Sequence, residues 1–144
     1  MAIKPAMVDF IRTFVRDEIE ENDRLEAQLD QEGWDDYGLF LNAVFFLAID
    51  HYFDGRRDGA AIIRFVGEMR SQLDVGGDEI DPVGAERLIS SVFDPDVEVG
   101  LSPAMIGKVQ THATYKALTE KAISDRELDE LLSEAAAVVN EREV

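Results

Sequence analysis

The sequence predicts an all-α fold, a compact bundle of about six helices that forms one domain over residues 1–144. Three observations support this prediction. Apolar residues recur at helical spacing in one segment after another, and no segment shows sustained strand alternation. Hydrophobic residues make up 46% of the chain, which is enough to build a core. Several segments begin with helix-start signatures, either Asp or Ser followed by Pro, or Ser with Glu three positions later.

The first predicted helix runs from Pro5 to about Gln31. Proline is tolerated in the first turn of a helix, and Gly33 provides a stop at the other end. The middle of this segment, residues 17–24, is very polar, so the apolar stripe is thin there. The apolar positions are Met7, Ile11, Phe14, Val15, Ile19, Leu25 and Leu29.

The second predicted helix covers residues 36–53, with Asp35 or Asp36 as its cap. It contains the run LFLNAVFFLAI, which is apolar around almost its whole circumference. A helix without a polar face must be covered on nearly all sides. We therefore expect it to be the hydrophobic central helix of the bundle or the buried seam of an oligomer.

The third predicted helix covers residues 58–74 and follows the turn FDGRRDG. The segment VGGDEI, with two adjacent glycines, is the clearest break in the chain. Asp81 followed by Pro82 has the pattern of a cap and a first turn, which predicts a fourth helix ending near Phe93.

The last two predicted helices also begin with clear signals. Ser102 and Pro103 open a fifth helix that ends near Ala122. Ser124 and Glu127 have the spacing of a capping box and open the sixth helix. Its expected inward positions are Leu128, Leu131, Leu132, Ala135, Val138 and Val139.

The charge of the chain restricts its partners. There are 31 acidic residues against 14 basic ones, a formal net charge of −17. Nucleic acids and anionic membrane surfaces are therefore repelled, whereas a basic protein is a compatible partner. Arginine outnumbers lysine ten to four. This acidic, lysine-poor composition is typical of a salt-adapted proteome, although a GC-rich genome biases the composition in the same direction.

The chain contains no cysteine, which excludes disulfides, thiol catalysis and thiolate metal sites. Its first residues lack the apolar core of a secretory signal. The longest apolar stretch, residues 39–49, is well short of the roughly 20 residues of a membrane span. We therefore expect a cytoplasmic protein, and no motif indicates a cofactor.

The second predicted helix and its flanks carry a dense group of aromatic residues. Large rings anchor protein interfaces well because they bury much area at little entropic cost. Rings occur on two opposite sides of this helix, so two surfaces need cover, and a symmetry mate is one way to supply it. The sequence therefore predicts self-association as a homodimer. The candidate interface residues are Trp34, Tyr37, Phe40, Phe46 and Phe53.

Asp50, His51 and Asp54 cluster at the end of the second predicted helix. With His112 arriving from the fifth, they are candidate ligands for a divalent metal ion. The alternative is that the aspartates of this region cap the third helix or pair with the arginines at 56–57. The Glu-x-x-His pairs of di-iron bundles are absent from the sequence.

No catalytic motif stands out. Thr111, His112 and Thr114 are neighbours in sequence, but residues one or two apart point different ways on a helix, so they form no triad. The segment GRRDGAA lacks the lysine and the spacing of a phosphate-binding loop. We therefore favour a non-catalytic function over an enzymatic one.

Three functions follow in order of preference. The first is a non-catalytic helical protein-interaction or regulatory module that self-associates. The second is an acidic inhibitor of a basic protein, of the immunity or antitoxin type, which uses carboxylates of the first helix to steer its partner. These are Glu18, Glu20, Glu21, Asp23, Glu26 and Asp30. The third is a metal-dependent enzyme that uses the Asp/His cluster.

Overall fold

The computed structural model describes residues 3–73 and 76–142. This part of the chain contains seven α-helices, one short 3₁₀ turn and no strand. The all-α class and a bundle of about six helices are therefore confirmed. The elements are α1 (Pro5–Val15), α2 (Ile19–Glu32), α3 (Tyr37–Tyr52), α4 (Gly59–Gln72), the 3₁₀ turn (Gly77–Glu79), α5 (Pro82–Ser90), α6 (Pro103–Glu120) and α7 (Asp125–Arg142).

The single first helix predicted over residues 5–31 is wrong, because the chain turns at residues 16–18 and forms the pair α1 and α2. Asp17, in this turn, has a left-handed backbone with φ 57°, a conformation that aspartate adopts more readily than most residues. Its carboxylate accepts hydrogen bonds of 2.7 and 2.9 Å from the hydroxyl of Tyr115. The polar stretch over residues 17–24 thus covers the end of this turn and the first residues of α2.

The hydrophobic helix predicted over residues 36–53 is α3, which packs between α6 and α7. The side-chain amide of Gln110 donates a 2.8 Å hydrogen bond to Asn42, and the hydroxyl of Tyr52 donates one of 2.9 Å to Glu120. These two pairs show that α3 and α6 run parallel. The buried residues of α3 are Phe40, Leu41, Val44, Phe45, Ala48 and Ile49.

The last helix returns antiparallel to the first. Near one end of the pair, the backbone amide of Ile3 donates a 2.9 Å hydrogen bond to the side chain of Asn140. Further along, Arg12 pairs with Asp129 at 2.6 Å. One continuous cluster of buried apolar side chains includes members from each of the seven α-helices.

Three predicted helix starts are confirmed by capping hydrogen bonds. The side chain of Asp81 accepts from the backbone amide of residue 84 at 3.3 Å, and that of Ser102 accepts from residue 105 at 3.2 Å. Ser124 and Glu127 form the predicted capping box, with reciprocal bonds of 3.1 and 3.3 Å. The start of α3 differs from its prediction, because the side chain of Asp36 makes no capping hydrogen bond and its backbone is left-handed, with φ 68°.

Candidate binding surface

Two of the predicted interface residues, Trp34 and Tyr37, belong to an aromatic group that includes Phe10 of α1. The three rings meet edge to face, with centroids 5.0 to 6.0 Å apart. The indole of Trp34 also donates a 2.8 Å hydrogen bond to Asp30. Burial raises the pKa of Tyr37 to about 12. These half-buried rings hold the hairpin of α1 and α2 against the start of α3.

Two other predicted interface residues lie in the core. Phe40 is 0% exposed and Phe53 is 8% exposed. The ring of Phe53 lies 5.5 Å from that of Phe65 and 6.2 Å from that of Phe93. The five predicted residues therefore do not form one surface. Of the predicted set, Phe46 projects furthest into solvent.

Phe46 stands in an apolar cleft between α3 and α7. It is 46% exposed, and its neighbours Leu39 and Val138 are 50% and 39% exposed. Three of the six exposed large hydrophobic residues in the described chain therefore meet at this one place. The cleft encloses about 230 Å³ and is lined by Leu39, Asn42, Ala43, Phe46, Leu47, Val138 and Val139.

The contribution of α7 to this cleft was missed by the sequence analysis, which placed Val138 and Val139 both inward. Consecutive residues on a helix are about 100° apart, so both cannot face the core fully. Val139 is 3% exposed and lies in the core, whereas Val138 turns outward. The adjacent pair was therefore a usable signal for a second apolar face.

The groove between α3 and α7 continues beyond the apolar cleft, with Leu47 lining both parts. This second part, the acidic groove, encloses about 290 Å³ and is lined by Leu47, Asp50, His51, Ile123, Glu127, Glu130, Leu131 and Glu134. Within the described part of the chain, the carboxylates of Asp50 and Glu134 make no ion pair or hydrogen bond. The surface thus changes from apolar to acidic along one groove.

The proposed metal ligands are not brought together. Asp50 and His51 face α7 in the acidic groove. Asp54 points to Lys121 instead, with 3.8 Å between its carboxylate and the ammonium nitrogen. Among the residues described, no three or more His, Cys, Asp or Glu side chains are arranged to hold a metal ion. The metal hypothesis therefore gains no support from this placement.

His112 lies on α6, away from the other three candidates. The parallel register of α3 and α6 places it about two turns, roughly 10 Å, before His51 along the bundle. Burial lowers the pKa of His112, and the nearby charge of Lys108 lowers it further.

The buried hydroxyl of Thr114 has no hydrogen-bond partner among the residues described.

The charged residues at the start of α4 stabilise local structure. Asp58 caps the helix, since its side chain accepts a 3.2 Å hydrogen bond from the backbone amide of Ala61. This agrees with the structural alternative given for the aspartates of this region. Arg57 pairs with Asp94 at 3.1 Å and so joins the α3–α4 turn to the segment after α5.

Sequence reasoning also missed a buried charged cluster around Lys116. The side chain of this lysine is 3% exposed, and its ammonium lies 3.6 Å from Glu68 and in contact with Glu120. The same ammonium lies 5.2 Å from the centre of the Phe65 ring. Because Tyr52 donates to Glu120, the cluster joins α3, α4 and α6. The available signal was that Lys116 lies at helical spacing from Val109 and Ala113, which are buried on the same helix.

The pKa shifts in this cluster oppose acid–base catalysis near neutral pH. Burial, together with the hydrogen bond to Glu120, raises the pKa of Tyr52 to about 12. The hydrogen bond from Lys116 lowers the pKa of Glu120. A general acid or base works best when its pKa is close to the working pH. Both groups are shifted away from neutrality, so we assign the cluster a structural role.

Comparison of the chain with models of known protein families, with curated proteins and with solved structures found no match. Within residues 3–73 and 76–142, none of the helices has the length and apolar character needed to cross a bilayer. The function is therefore inferred from the fold and from the groove between α3 and α7.

Proposed function

We propose that this protein is a non-catalytic helical interaction module whose docking surface is the apolar cleft between α3 and α7. The observation that carries the proposal is the convergence of Leu39, Phe46 and Val138, each exposed by 39% or more, at one cleft. Single exposed apolar residues are ordinary on a protein surface, but contiguous ones mark interaction sites. The other three exposed large hydrophobic residues of the described chain, Ile19, Ile63 and Val83, do not line this cleft.

The size of the cleft supports a protein partner over a small molecule. Small-molecule pockets enclose roughly 300–1,000 Å³ and cover most of the ligand. The apolar cleft is smaller, at about 230 Å³, and is open along the groove. A space of this size suits one or two apolar side chains from a partner helix, as in helix-in-groove recognition.

Self-association is the form of this function that the sequence favours, and light scattering tests it. The protein is measured from about 10 μM to about 1 mM, which covers dissociation constants in that range. Measurements in low and in molar KCl separate apolar contact from charge repulsion, because salt screens the repulsion. We expect the average mass to rise with concentration in molar KCl.

A pair of matched variants assigns any association to the cleft. Leu39→Ser with Phe46→Ser removes two cleft residues, whereas Ile63→Ser with Val83→Ser removes two residues of similar exposure elsewhere. We expect the first pair to abolish association and the second to leave it unchanged. A strict monomer in molar KCl, or equal loss in both variants, would contradict self-association through this surface.

Two other functions were predicted from the sequence. The metal-dependent enzyme is not carried further, because Asp54 pairs with Lys121 and His112 lies on α6, away from Asp50 and His51 in the acidic groove. The acidic inhibitor of a basic protein gains support from the acidic groove beside the cleft. The cytoplasmic location and the absence of a nucleic-acid partner remain predictions from composition.

A further inference from the structure

The groove between α3 and α7 has the length of a short helix. Along α3 it extends from Leu39 to His51, and twelve helical residues correspond to about 18 Å. Leu47 lines both the apolar cleft and the acidic groove, so the two parts adjoin at this residue. An occupant lying along this groove meets apolar side chains first and carboxylates afterwards.

The charge of the acidic groove is unbalanced. Four carboxylates line it, from Asp50, Glu127, Glu130 and Glu134, against the single histidine His51. Glu130 is paired with Arg126 at 3.1 Å, and Glu127 belongs to the capping box of α7. The remaining two, Asp50 and Glu134, are exposed and make no ion pair or hydrogen bond within the described chain. The groove can therefore accept cationic side chains without displacing an existing partner from these two.

At low salt a second copy of the chain fits this surface poorly in charge, so self-association through the cleft needs the repulsion to be screened, as it is in molar KCl. The apolar cleft has acidic residues beyond its other end as well, with Asp35 one turn before Leu39 and Glu141 three residues after Val138. A two-fold contact centred on the cleft would therefore bring carboxylates toward carboxylates in either direction. Each chain carries a formal charge of −17, so the repulsion acts between whole molecules too.

We propose that the native occupant of this groove is a basic amphipathic helix of another protein, an inference that rests on the proposed docking function of the cleft. Its apolar side chains are spaced i, i+4 and i+7, and one or two of them enter the cleft beside Phe46. Its lysine or arginine side chains lie along the acidic groove opposite Asp50 and Glu134. Charge complementarity accelerates the encounter between the basic helix and the acidic groove.

The test uses an acetylated and amidated synthetic peptide of about 14 residues, about 20 Å long as a helix. It carries leucines at i, i+4 and i+7 and lysines on both flanks. One control peptide has glutamate in place of every lysine, and another has the same composition in scrambled order. Binding to the full chain is followed by isothermal titration calorimetry in low and in molar KCl. We expect the basic amphipathic peptide alone to bind at low salt, with an affinity that falls as salt rises.

Charge variants test whether the unpaired carboxylates of the groove attract the basic peptide. Asp50→Asn with Glu134→Gln removes the two unpaired carboxylates of the groove. Glu20→Gln with Glu26→Gln makes the same charge change on exposed positions of α2. We expect the groove pair to weaken binding roughly threefold to tenfold at low salt, as expected for two exposed ion pairs. We expect the α2 pair to weaken it less than about twofold, because these positions lie outside the groove and change only the net charge of the chain.

The outcomes separate this inference from the proposed function. Equal effects of the two charge variants, or equal binding of the glutamate peptide, would overturn the basic partner. Loss of roughly tenfold or more in affinity on Phe46→Ser, with none on Ile63→Ser, supports the cleft as the anchor point. If Phe46→Ser changes neither peptide binding nor self-association while its melting transition stays cooperative, the docking function itself fails.

Discussion

Phe40 and Phe46 lie on the same helix, and their replacement by alanine tests how α3 is covered. Phe40 has no exposed surface, so Phe40→Ala removes a fully buried ring and leaves a cavity. Such changes lower the free energy of unfolding by about 3–5 kcal/mol. Phe46 is 46% exposed. At about 25 cal/mol per Å² and roughly 200 Å² for a fully buried ring, its buried half corresponds to about 2.5 kcal/mol, and alanine retains part of that contact.

Urea unfolding followed by far-ultraviolet circular dichroism measures both changes. We expect Phe40→Ala to lower the free energy of unfolding at least about twice as much as Phe46→Ala. The measurement is made at two protein concentrations, because a ring buried by a partner copy would make the effect of Phe46→Ala concentration-dependent. Equal losses for the two variants at low concentration would refute the assignment of Phe46 to an exposed cleft within a monomer.

Three further predictions follow from local geometry. Gly77→Ala should destabilise the protein strongly, because the added Cβ would lie 2.1 Å from the backbone oxygen of Arg70. The Cβ added by Gly67→Ala meets nothing within 4 Å, so this change should stabilise α4 by up to about 1 kcal/mol. Thermal melts compare the two variants. Ser124→Ala removes one half of the capping box and should lower the free energy of unfolding by about 1 kcal/mol in urea titrations, an effect absent if α7 starts elsewhere. The pKa of His112 is lowered in the folded chain. As the pH falls below the ordinary histidine pKa of about 6.5, the unfolded chain therefore binds a proton at this residue before the folded chain does. Stability should therefore fall as the pH drops from there toward the lowered pKa, and His112→Gln should remove that part of the fall; an unchanged profile would contradict the burial of this ring.

The fold was predictable from the sequence because its signals are local. The caps at Asp81 and Ser102 and the capping box at Ser124 depend on residues three positions apart, so a linear reading finds them. The hydrophobic run of α3 likewise predicts a central helix without knowledge of its neighbours.

The errors concern features that depend on distant residues. The break between α1 and α2 coincides with the polar stretch at residues 17–24, which by itself also fits one continuous helix with a thin apolar stripe. The hydroxyl of Tyr115, almost a hundred positions away, donates a hydrogen bond to Asp17 at this break. The same applies to the cleft, where Leu39 and Phe46 meet Val138 only after α7 has folded back along α3. The predicted interface residues shared an aromatic character but not a face, so composition grouped residues that the packing separates.

Hydrogen–deuterium exchange of the full chain, free and saturated with the basic amphipathic peptide, tests the central claim most directly. We expect slowed backbone exchange confined to α3 and α7, the two walls of the groove, and no slowing in Phe46→Ser at the same peptide concentration. Slowed exchange centred on the acidic helix α2 would contradict it, as would equal slowing in the variant.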